Sequence, residues 1–430
     1  MRAVKCRFWF SCRLLPMFLI IAFAACAKSE QPAIPTDGSQ AKTVTIGFTA
    51  SQTGKLNVES TRQINGLSLW IEQVNAAGGA RLADGTNIRF ATKFYDDESN
   101  KDRVQELYTK LITQDHADFL ISPYSSGLAD AAAVIAEQNG KVIITAGAAS
   151  DSTHAKGYSL VYQIYTPASR YLTGALDLLA SLDSGPHAVA LICEKDKFAT
   201  EVCGALGKYA GEKGVKIPMA EGYDTGAADF APFINKIPPT VDVVLGGGHF
   251  ADGTTFARQL FEKNIKAKFI ALLVAPPEPK FAEIGDAAVG IVGPSQWEPQ
   301  AKYNAALASP GESEWFGPSV EEFSEAYRRK YNEEPSYHSA GGYAAGLVLQ
   351  KAIAAAGSLG TDKIKAALDN LNLLTFFGRI RFENAPALHG LQQGHEMVYI
   401  QWQKNERQEL VKQVVWPAEV KSASAVYPIH

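Results

Sequence analysis

Short apolar runs alternate with amphipathic segments along most of the chain. The run Thr43–Phe48 is rich in β-branched residues and predicts a strand. The following segment carries apolar residues at the spacing of one helix face: Ile64, Leu67, Ile71 and Val74. Gly78-Gly79 marks the end of this helix, and Asn87–Tyr95 predicts the next strand. Alternating strands and helices predict an open, mostly parallel sheet with right-handed crossovers.

The same alternation is clearest between Asp118 and Ser150. Two apolar runs, Phe119–Ile121 and Val142–Thr145, flank an alanine-rich helix at Leu128–Asn139. Each run leads into a loop of small residues, Tyr124-Ser125-Ser126-Gly127 and Gly147-Ala148-Ala149-Ser150. Because ligands bind at the carboxyl ends of parallel strands, these loops predict one wall of a small-molecule site. The serines also suit a capping role at the start of the helix, and the two roles are compatible.

A second alternation begins after Thr166-Pro167, where the chain crosses out of the first. It predicts strands at Ala188–Cys193, Lys216–Glu221, Val241–Leu245, Phe269–Val274 and Gly290–Pro294. Two of these strands lead into the loops Gly246-Gly247-Gly248-His249 and Ala275-Pro276-Pro277-Glu278. Ser295-Gln296-Trp297 predicts a second crossing.

The last third of the chain returns to helices. They are predicted at Pro318–Asn332, Tyr337–Ala356 and Thr361–Leu371. Hairpin-like segments follow at Gly378–Phe382 and Met397–Gln403, and then a polar tail. A chain of 430 residues is too long for one typical core, so two lobes are expected. The net charge of −4 gives no indication of nucleic-acid binding.

The first 25 residues have the pattern of an export signal. Arg2, Lys5, Arg7 and Arg13 precede or open an apolar run, Leu14–Ala25, that is too short to span a bilayer comfortably. The run leads to Phe23-Ala24-Ala25-Cys26, which resembles the lipobox of bacterial lipoproteins except that Phe replaces the usual Leu. We therefore predict a lipoprotein-type signal over 1–25, lipidation of Cys26 and a polar tether over 26–42. The alternative is an ordinary signal that contains a cysteine.

Removal of the signal leaves few cysteines. Cys6 and Cys12 lie within it, and lipidation uses Cys26, so Cys193 and Cys203 remain. An even pair in an exported protein predicts a disulfide, with two buried free thiols as the alternative. Neither cysteine has a histidine partner at a fixed spacing, so the sequence indicates no nucleophile, no metal site and no cofactor.

The order of motifs resembles the leucine/isoleucine/valine-binding group of type I periplasmic binding proteins, the substrate-binding subunits of ABC importers. The resemblance covers nearly all of the mature chain and rests on order and spacing. Its motifs are Ile46-Gly47, Gly66–Gly79, Tyr95-Asp96-Asp97, Ser122–Gly127, Ile144–Ser150, Gly341–Ala345 and Phe377–Phe382.

The resemblance implies an α/β fold of two Rossmann-like lobes with parallel sheets, joined by three hinge crossings near Tyr165, Ser295 and Val398. The N-terminal lobe is expected at 43–165 plus 296–397, and the C-terminal lobe at 166–295 plus 398–430. Such a protein closes on its ligand like a clamp. The resemblance also implies ABC permease and ATPase partners, a monomer, and a periplasmic or cell-surface location on a lipid anchor.

Site residues follow from the same resemblance. The ligand carboxylate is expected on Ser126, with Ser125 beside it and Tyr124 before it, and on Gly147–Ser150. At the position where the family usually has Thr, this chain has Ala149. From the second lobe we expect Phe198, His249 and Glu278 to contact the ligand, with Trp297 at the crossing. Three of them have a plainer alternative, namely helix core for Phe198, surface for His249 and hinge packing for Trp297, and Pro276-Pro277 disturbs the family spacing at Glu278. Gln52 and Thr53 are further candidates.

Three classes of function are considered. The first is a non-catalytic solute-binding protein for a branched-chain or other amino acid, with amides, urea and aromatic acids as further ligands of the family. The second is a sensor of the same fold that signals through a membrane partner. The third, an enzyme, is disfavoured because the chain lacks GxSxG, HExxH and GxxxxGK[ST] motifs.

Overall fold

The first part of the chain builds one mostly parallel sheet. The computed structural model describes residues 41–301, 303–308 and 313–429, so the predicted signal and Cys26 lie outside the described residues. The elements are β1 (Lys42–Ala50), α1 (Asn57–Ala76), β2 (Ala80–Arg81), β3 (Asn87–Asp96), α2 (Lys101–Thr113), β4 (Phe119–Ile121), α3 (Ser126–Gln138), β5 (Ile143–Thr145), α4 (Asp151–His154) and β6 (Val161–Gln163). The strand order is β2-β3-β1-β4-β5-β6, and every pair is parallel except β2 with β3. All residues of β4, β5 and β6 are buried, as expected of strands covered by helices on both faces.

A second sheet follows. Its first elements are α5 (Thr173–Leu182), β7 (Ala188–Glu194), α6 (Lys197–Glu212), β8 (Lys216–Tyr223), α7 (Ala231–Ile234), β9 (Val243–Gly247), α8 (Phe250–Glu262), β10 (Phe269–Leu272) and β11 (Val292–Ser295). Short 3₁₀ segments lie at Ala168–Arg170 and Pro279–Ala288. The strands β7 to β11 pair in parallel in the order β11-β10-β9-β7-β8.

The rest of the chain contributes to both lobes. It forms β12 (Glu314–Trp315), α9 (Val320–Tyr331), α10 (Tyr337–Ala356), α11 (Thr361–Asp369), β13 (Asn372–Thr375), β14 (Gly378–Arg381), β15 (Val398–Lys404) and β16 (Leu410–Trp416), with 3₁₀ turns at Pro299–Ala301 and Ala305–Leu307. Helix α10 packs closely on α1, since a Cβ on Gly66 or Gly342 would overlap backbone atoms of the other helix. A small third sheet has the order β12-β13-β14.

One expectation for the C-terminal region was wrong. The segment after Gln403 is not a polar tail, because it forms β16, which pairs antiparallel with β15 at the edge of the second sheet. Lys412 and Gln413 obscure the strand pattern in the sequence, while Val414 and Val415 are buried. The second sheet is therefore mixed rather than wholly parallel.

Three crossings join the two sheets within the described residues. The chain leaves the first sheet after β6, returns after β11 and enters the second sheet again at β15. This arrangement confirms the predicted α/β fold with two lobes. The exact residues at which the lobes begin and end stay a prediction. The sheet to which each strand belongs agrees with the predicted boundaries.

Candidate ligand-binding site

A small cavity, about 230 Å³, lies between loops of the two sheets. It is lined by Tyr124, Ser125, Ser126, Gly147, Ala149, Tyr165, Tyr171, Phe198, His249, Val274 and Tyr337. Several of these residues follow β4, β5, β9 and β10 directly, so the cavity lies at the carboxyl ends of strands from both sheets. That is where open α/β sheets bind ligands.

The two loops of the first lobe meet at a hydrogen bond. The Ala149 N–H donates to Ser126 Oγ over 3.0 Å. Ser126 is buried and is the first residue of α3, whose first-turn N–H groups have no partner within the helix. A hydroxyl has one donor and two acceptor positions, so Ser126 Oγ keeps its own proton to donate. The Ala149 N–H thus holds Ser126 Oγ in place, while the Ser126 hydroxyl and the first N–H groups of α3 can donate to one carboxylate.

Two other residues of the second loop do not line the cavity. Ser150 is buried, and its hydroxyl donates to Glu201 Oε1 on α6 of the other lobe over 2.5 Å. Ala148 is also buried beside the cavity without lining it. The loop therefore provides Gly147 and Ala149 to the cavity and Ser150 to a contact between the lobes.

The second lobe presents Phe198 and His249. Phe198 lies in the first turn of α6 and packs edge-on against Tyr171, with the ring centroids 5.0 Å apart. His249 is the N-cap residue of α8, two residues after the end of β9. The strand ends in Gly246-Gly247, where glycine is needed because Gly246 has a φ of +132° and a Cβ there would overlap the Ile192 carbonyl.

The His249 ring bridges the lobes. Its Nδ1 lies 2.7 Å from Tyr124 Oη, and its Nε2 lies 3.0 Å from Asp196 Oδ2. Burial disfavours the charged ring, but the carboxylates of Asp196, Glu194 and Glu59 outweigh burial and raise the pKa of His249 to about 9. The imidazole is therefore positively charged at neutral pH.

Further polar contacts cross the cleft near His249. Lys55 Nζ lies 3.2 Å from Glu194 Oε1, and the Phe250 N–H donates to Glu59 Oε1 over 2.9 Å. Lys55 and Glu59 precede or begin α1, whereas Glu194 and Phe250 belong to the second lobe. These contacts exist only while the lobes are together, so the structure represents a closed form.

Glu278 lies in a separate cross-lobe cluster and does not line the cavity. It is fully buried, with Oε1 2.5 Å from His338 Nδ1 and Oε2 3.9 Å from Arg62 Nε. Burial alone would raise the pKa of Glu278, but His338 and Arg62 bring it below its usual value. We call Arg62, Glu278 and His338 the cleft triad.

Trp297, Gln52 and Thr53 also lie outside the cavity. The Trp297 indole packs among Phe323 and Phe376 and donates to the Phe376 carbonyl over 2.9 Å, so it is part of the crossing's core. Both residues are exposed; the backbone N–H of Gln52 and the hydroxyl of Thr53 donate to the Asp96 carboxylate, and neither residue lines the cavity.

Four lining residues were not identified from the sequence: Tyr165, Tyr171, Val274 and Tyr337. Tyr165 and Tyr171 flank the first crossing, and Tyr337 begins α10. The Tyr171 hydroxyl donates to Tyr337 Oη over 3.0 Å, which joins the two lobes along the aromatic wall. For Tyr165 and Tyr171, their position beside a crossing was the one feature of the sequence that could have indicated a place in the cavity wall.

Cys193 and Cys203 are joined by a disulfide. Cys193 lies in β7 and Cys203 in α6, so the bridge spans the turn that holds Asp196 and Phe198. The predicted pair therefore stabilises one wall of the cavity.

Glu194, Asp196 and His249 bring possible metal-ligand atoms within 4.8 Å of one another. Each already has a charged partner, because Lys55 pairs with Glu194 and the imidazolium of His249 pairs with Asp196. We therefore interpret this group as an ion-pair network.

The fold and the cavity between its lobes define the class: a two-lobed solute-binding clamp. The family model described as periplasmic binding protein matches residues 43–407, and the chain belongs to that family. The resemblance found in the sequence is thereby confirmed.

Individual relatives are similar at low identity over almost their whole length. The leucine-, isoleucine-, valine-, threonine-, and alanine-binding protein of Pseudomonas aeruginosa is 22% identical over 411 residues, covering 93% of this chain and 98% of that protein. The branched-chain amino acid transporter substrate binding protein LivJ of Streptococcus pneumoniae, in complex with isoleucine, has a TM-score of 0.68 and 22% identity, covering 86% of this chain and 100% of the other.

A solute binding protein of an ABC transporter from Rhodopseudomonas palustris, in complex with benzoate, also has a TM-score of 0.68, with 18% identity. It covers 90% of this chain and 98% of its own. One fold thus holds both amino acids and an aromatic acid in these neighbours.

Proposed function

We propose that the protein is the solute-binding subunit of an ABC importer and that it captures a small carboxylate-bearing solute by closing its two lobes. The observation that carries the proposal is the cavity between the lobes, where Ser126 Oγ and the Ala149 N–H meet in the first lobe and Phe198 and His249 face them from the second. Family membership supplies the class of activity.

Clamp closure accounts for the polar contacts across the cleft. A ligand shifts the equilibrium only by as much as it binds the closed form better than the open one. In the closed form the ligand touches both lobes, and the cleft triad and the His249 contacts form at the same time. Opening about the three crossings exposes the cavity to solvent and releases the ligand.

An amino acid of the branched-chain kind is the first ligand to test, because the names of the Pseudomonas and Streptococcus relatives describe such ligands. The benzoate complex of the Rhodopseudomonas neighbour favours an aromatic acid as the second candidate. Both candidates have a carboxylate, which is the group that the Ser126 hydroxyl and the first N–H groups of α3 suit.

We further propose that the protein is exported and held at a bacterial membrane by a lipid on Cys26. In this proposal it docks on permease and ATPase subunits as a monomer and catalyses no reaction. None of the helices among the described residues has the length and apolar character needed to cross a bilayer. Replacement of Cys26 by Ala should release the mature protein from the membrane fraction.

A thermal-shift screen tests the ligand proposal. The protein is unfolded and refolded to remove carried-over ligand, then heated with amino acids, amides or aromatic acids. A ligand at about 100 times its Kd adds about 2.7 kcal/mol, which raises Tm by several degrees. Ser126→Ala should reduce the rise, whereas Ser181→Ala, at an exposed serine of α5, should not. A set of acids without any effect would contradict the proposal.

A further inference from the structure

Outside the cavity, one acidic side chain of the second lobe holds a ligand loop of the first. We infer that this residue, Glu201, is a positioning residue for ligand capture. On closure it holds the loop Gly147–Ser150, and through that loop it fixes Ser126, whose hydroxyl the proposed function assigns to the ligand carboxylate. This role rests on the proposed function, because it concerns how that same site is assembled.

The Glu201 carboxylate accepts from two serines of the other lobe. Glu201 lies on α6 of the second lobe, and its Oε1 accepts from Ser150 Oγ over 2.5 Å and from Ser152 Oγ. Its Oε2 accepts from the Ser152 N–H over 3.3 Å. Hydrogen bonds to a charged acceptor are the stronger kind. Because the donors and the acceptor belong to different lobes, these bonds contribute free energy to the closed form alone.

Lys197 adds a second charged contact at the same rim of the cleft. It lies one turn before Glu201 on α6, with its Nζ 3.5 Å from Glu201 Oε1. The same ammonium donates to Ser152 Oγ and lies 4.0 Å from Asp130 Oδ1 of the first lobe. The Glu201 side chain is 22% exposed, so solvent weakens these contacts in part without removing them.

The loop that Glu201 holds also positions Ser126. Ser150 is buried and directly follows Ala149, whose N–H donates to Ser126 Oγ over 3.0 Å. The Ala149 carbonyl accepts from the Ala168 N–H over 2.6 Å, so the first crossing holds the peptide that joins Ala149 to Ser150. A displacement of Ser150 therefore reaches Ser126 through a single residue. Since the Ser126 hydroxyl keeps its proton to donate to a ligand, its position depends on this loop.

The helix that presents Glu201 is fixed at its start. Asp196 is the N-cap residue of α6, and its carboxylate accepts from the Ala199 N–H over 2.7 Å. Cys203 follows Glu201 by two residues and is joined to Cys193 of β7 by the disulfide. Phe198, three residues before Glu201, lines the cavity. The cavity wall of the second lobe and the contact with Ser150 thus belong to one firmly held segment.

Titration calorimetry on the full chain tests this role, with leucine, isoleucine, valine and benzoate as the probes. Glu201→Ala should weaken binding of the tightest probe roughly tenfold, because charge-assisted bonds between the lobes are lost. Glu201→Gln keeps one acceptor oxygen without the charge and should lose less. Glu212→Ala replaces an exposed acid at the other end of α6 and should leave the affinity unchanged. All titrations are done well below the Tm of each variant, so a general loss of stability does not alter Kd.

A double-mutant cycle shows whether Glu201 acts through the serines. Ser150→Ala together with Ser152→Ala removes both hydroxyls that donate to Glu201. Adding Glu201→Ala to this serine variant should change the affinity by no more than about twofold, since the shared contact is already gone. If Ser150 contacted the ligand instead, the losses would add.

The outcomes separate this role from the proposed function. Additive losses, or a Glu201→Ala affinity within about twofold of the natural value, would overturn the positioning role and leave the importer proposal standing. Failure of all four probes to bind the natural protein would overturn both. If the serine variant does not fold, the comparison of Glu201→Ala with Glu212→Ala decides.

Discussion

Replacement of Glu278 by Gln removes the negative charge of the cleft triad at almost constant volume. Glu278 belongs to the second lobe, whereas its partners lie on α1 and α10 of the first. All three side chains are buried in the closed form. The substitution should therefore weaken closure and leave each lobe intact.

The magnitude follows from the burial of the triad. Removal of one partner of a buried ion pair costs about 3–5 kcal/mol. Arg62 keeps other partners, since it contacts the Glu333 carboxylate and donates to the Glu334 carbonyl over 3.0 Å. We therefore take the lower end, about 3 kcal/mol, which is roughly a hundredfold loss of ligand affinity.

Titration calorimetry measures this loss, and small-angle X-ray scattering measures closure. The control is Glu283→Gln, an exposed acid in the 3₁₀ segment that directly follows Glu278. Ligand at saturation should reduce the radius of gyration of the natural protein and of the control. Glu278→Gln should need a far higher ligand concentration to reach the same reduction. An affinity within about twofold of the natural value would refute the reasoning, because it would mean that the triad does not form on closure.

Three further predictions concern pH and the disulfide. The pKa of His249 is raised from 6.5 to about 9, so its contribution to the stability of the closed form is full below pH 6.5 and is lost as pH rises through 9. Tm measured against pH should fall over this range, and the fall should be absent in His249→Gln. The pKa of Glu278 is lowered from 4.5, so its contribution to closure is full above pH 4.5 and is lost as pH falls through the pKa of the folded protein. Ligand affinity of the natural protein should therefore fall steeply below pH 4.5, whereas that of Glu278→Gln should not. A variant with Cys193→Ser and Cys203→Ser should lose about 3 kcal/mol of unfolding free energy in urea melts, because the bridge closes a loop with a sequence separation of 10. An unchanged urea midpoint would contradict this stabilising role of the disulfide.

Periodicity was enough to predict the architecture. The apolar run of β1 and the apolar stripe of α1 are visible in the sequence, because each element buries one face against its neighbours. Strand β16 was missed because it lies at the sheet edge, is only partly buried, and carries the adjacent polar residues Lys412 and Gln413 in its middle.

The site was predictable only where loops follow strands. Ser126 and His249 lie in such loops, and the structure brings both to one cavity. Arg62 could not be assigned, because its role depends on Glu278, more than two hundred positions away in the chain. Trp297 shows the opposite limit, since an aromatic residue at a crossing packs equally well into the core. Pairings across the cleft depend on how the lobes close, and no local pattern encodes that.

A crystal structure of the protein with its tightest-binding ligand tests the central claim most directly. The account predicts that the ligand lies in the cavity between the lobes, with its carboxylate within hydrogen-bond distance of Ser126 Oγ at the start of α3, and with Phe198 and His249 against it from the second lobe. A ligand bound elsewhere, or one that touches a single lobe of an open form, would contradict the account.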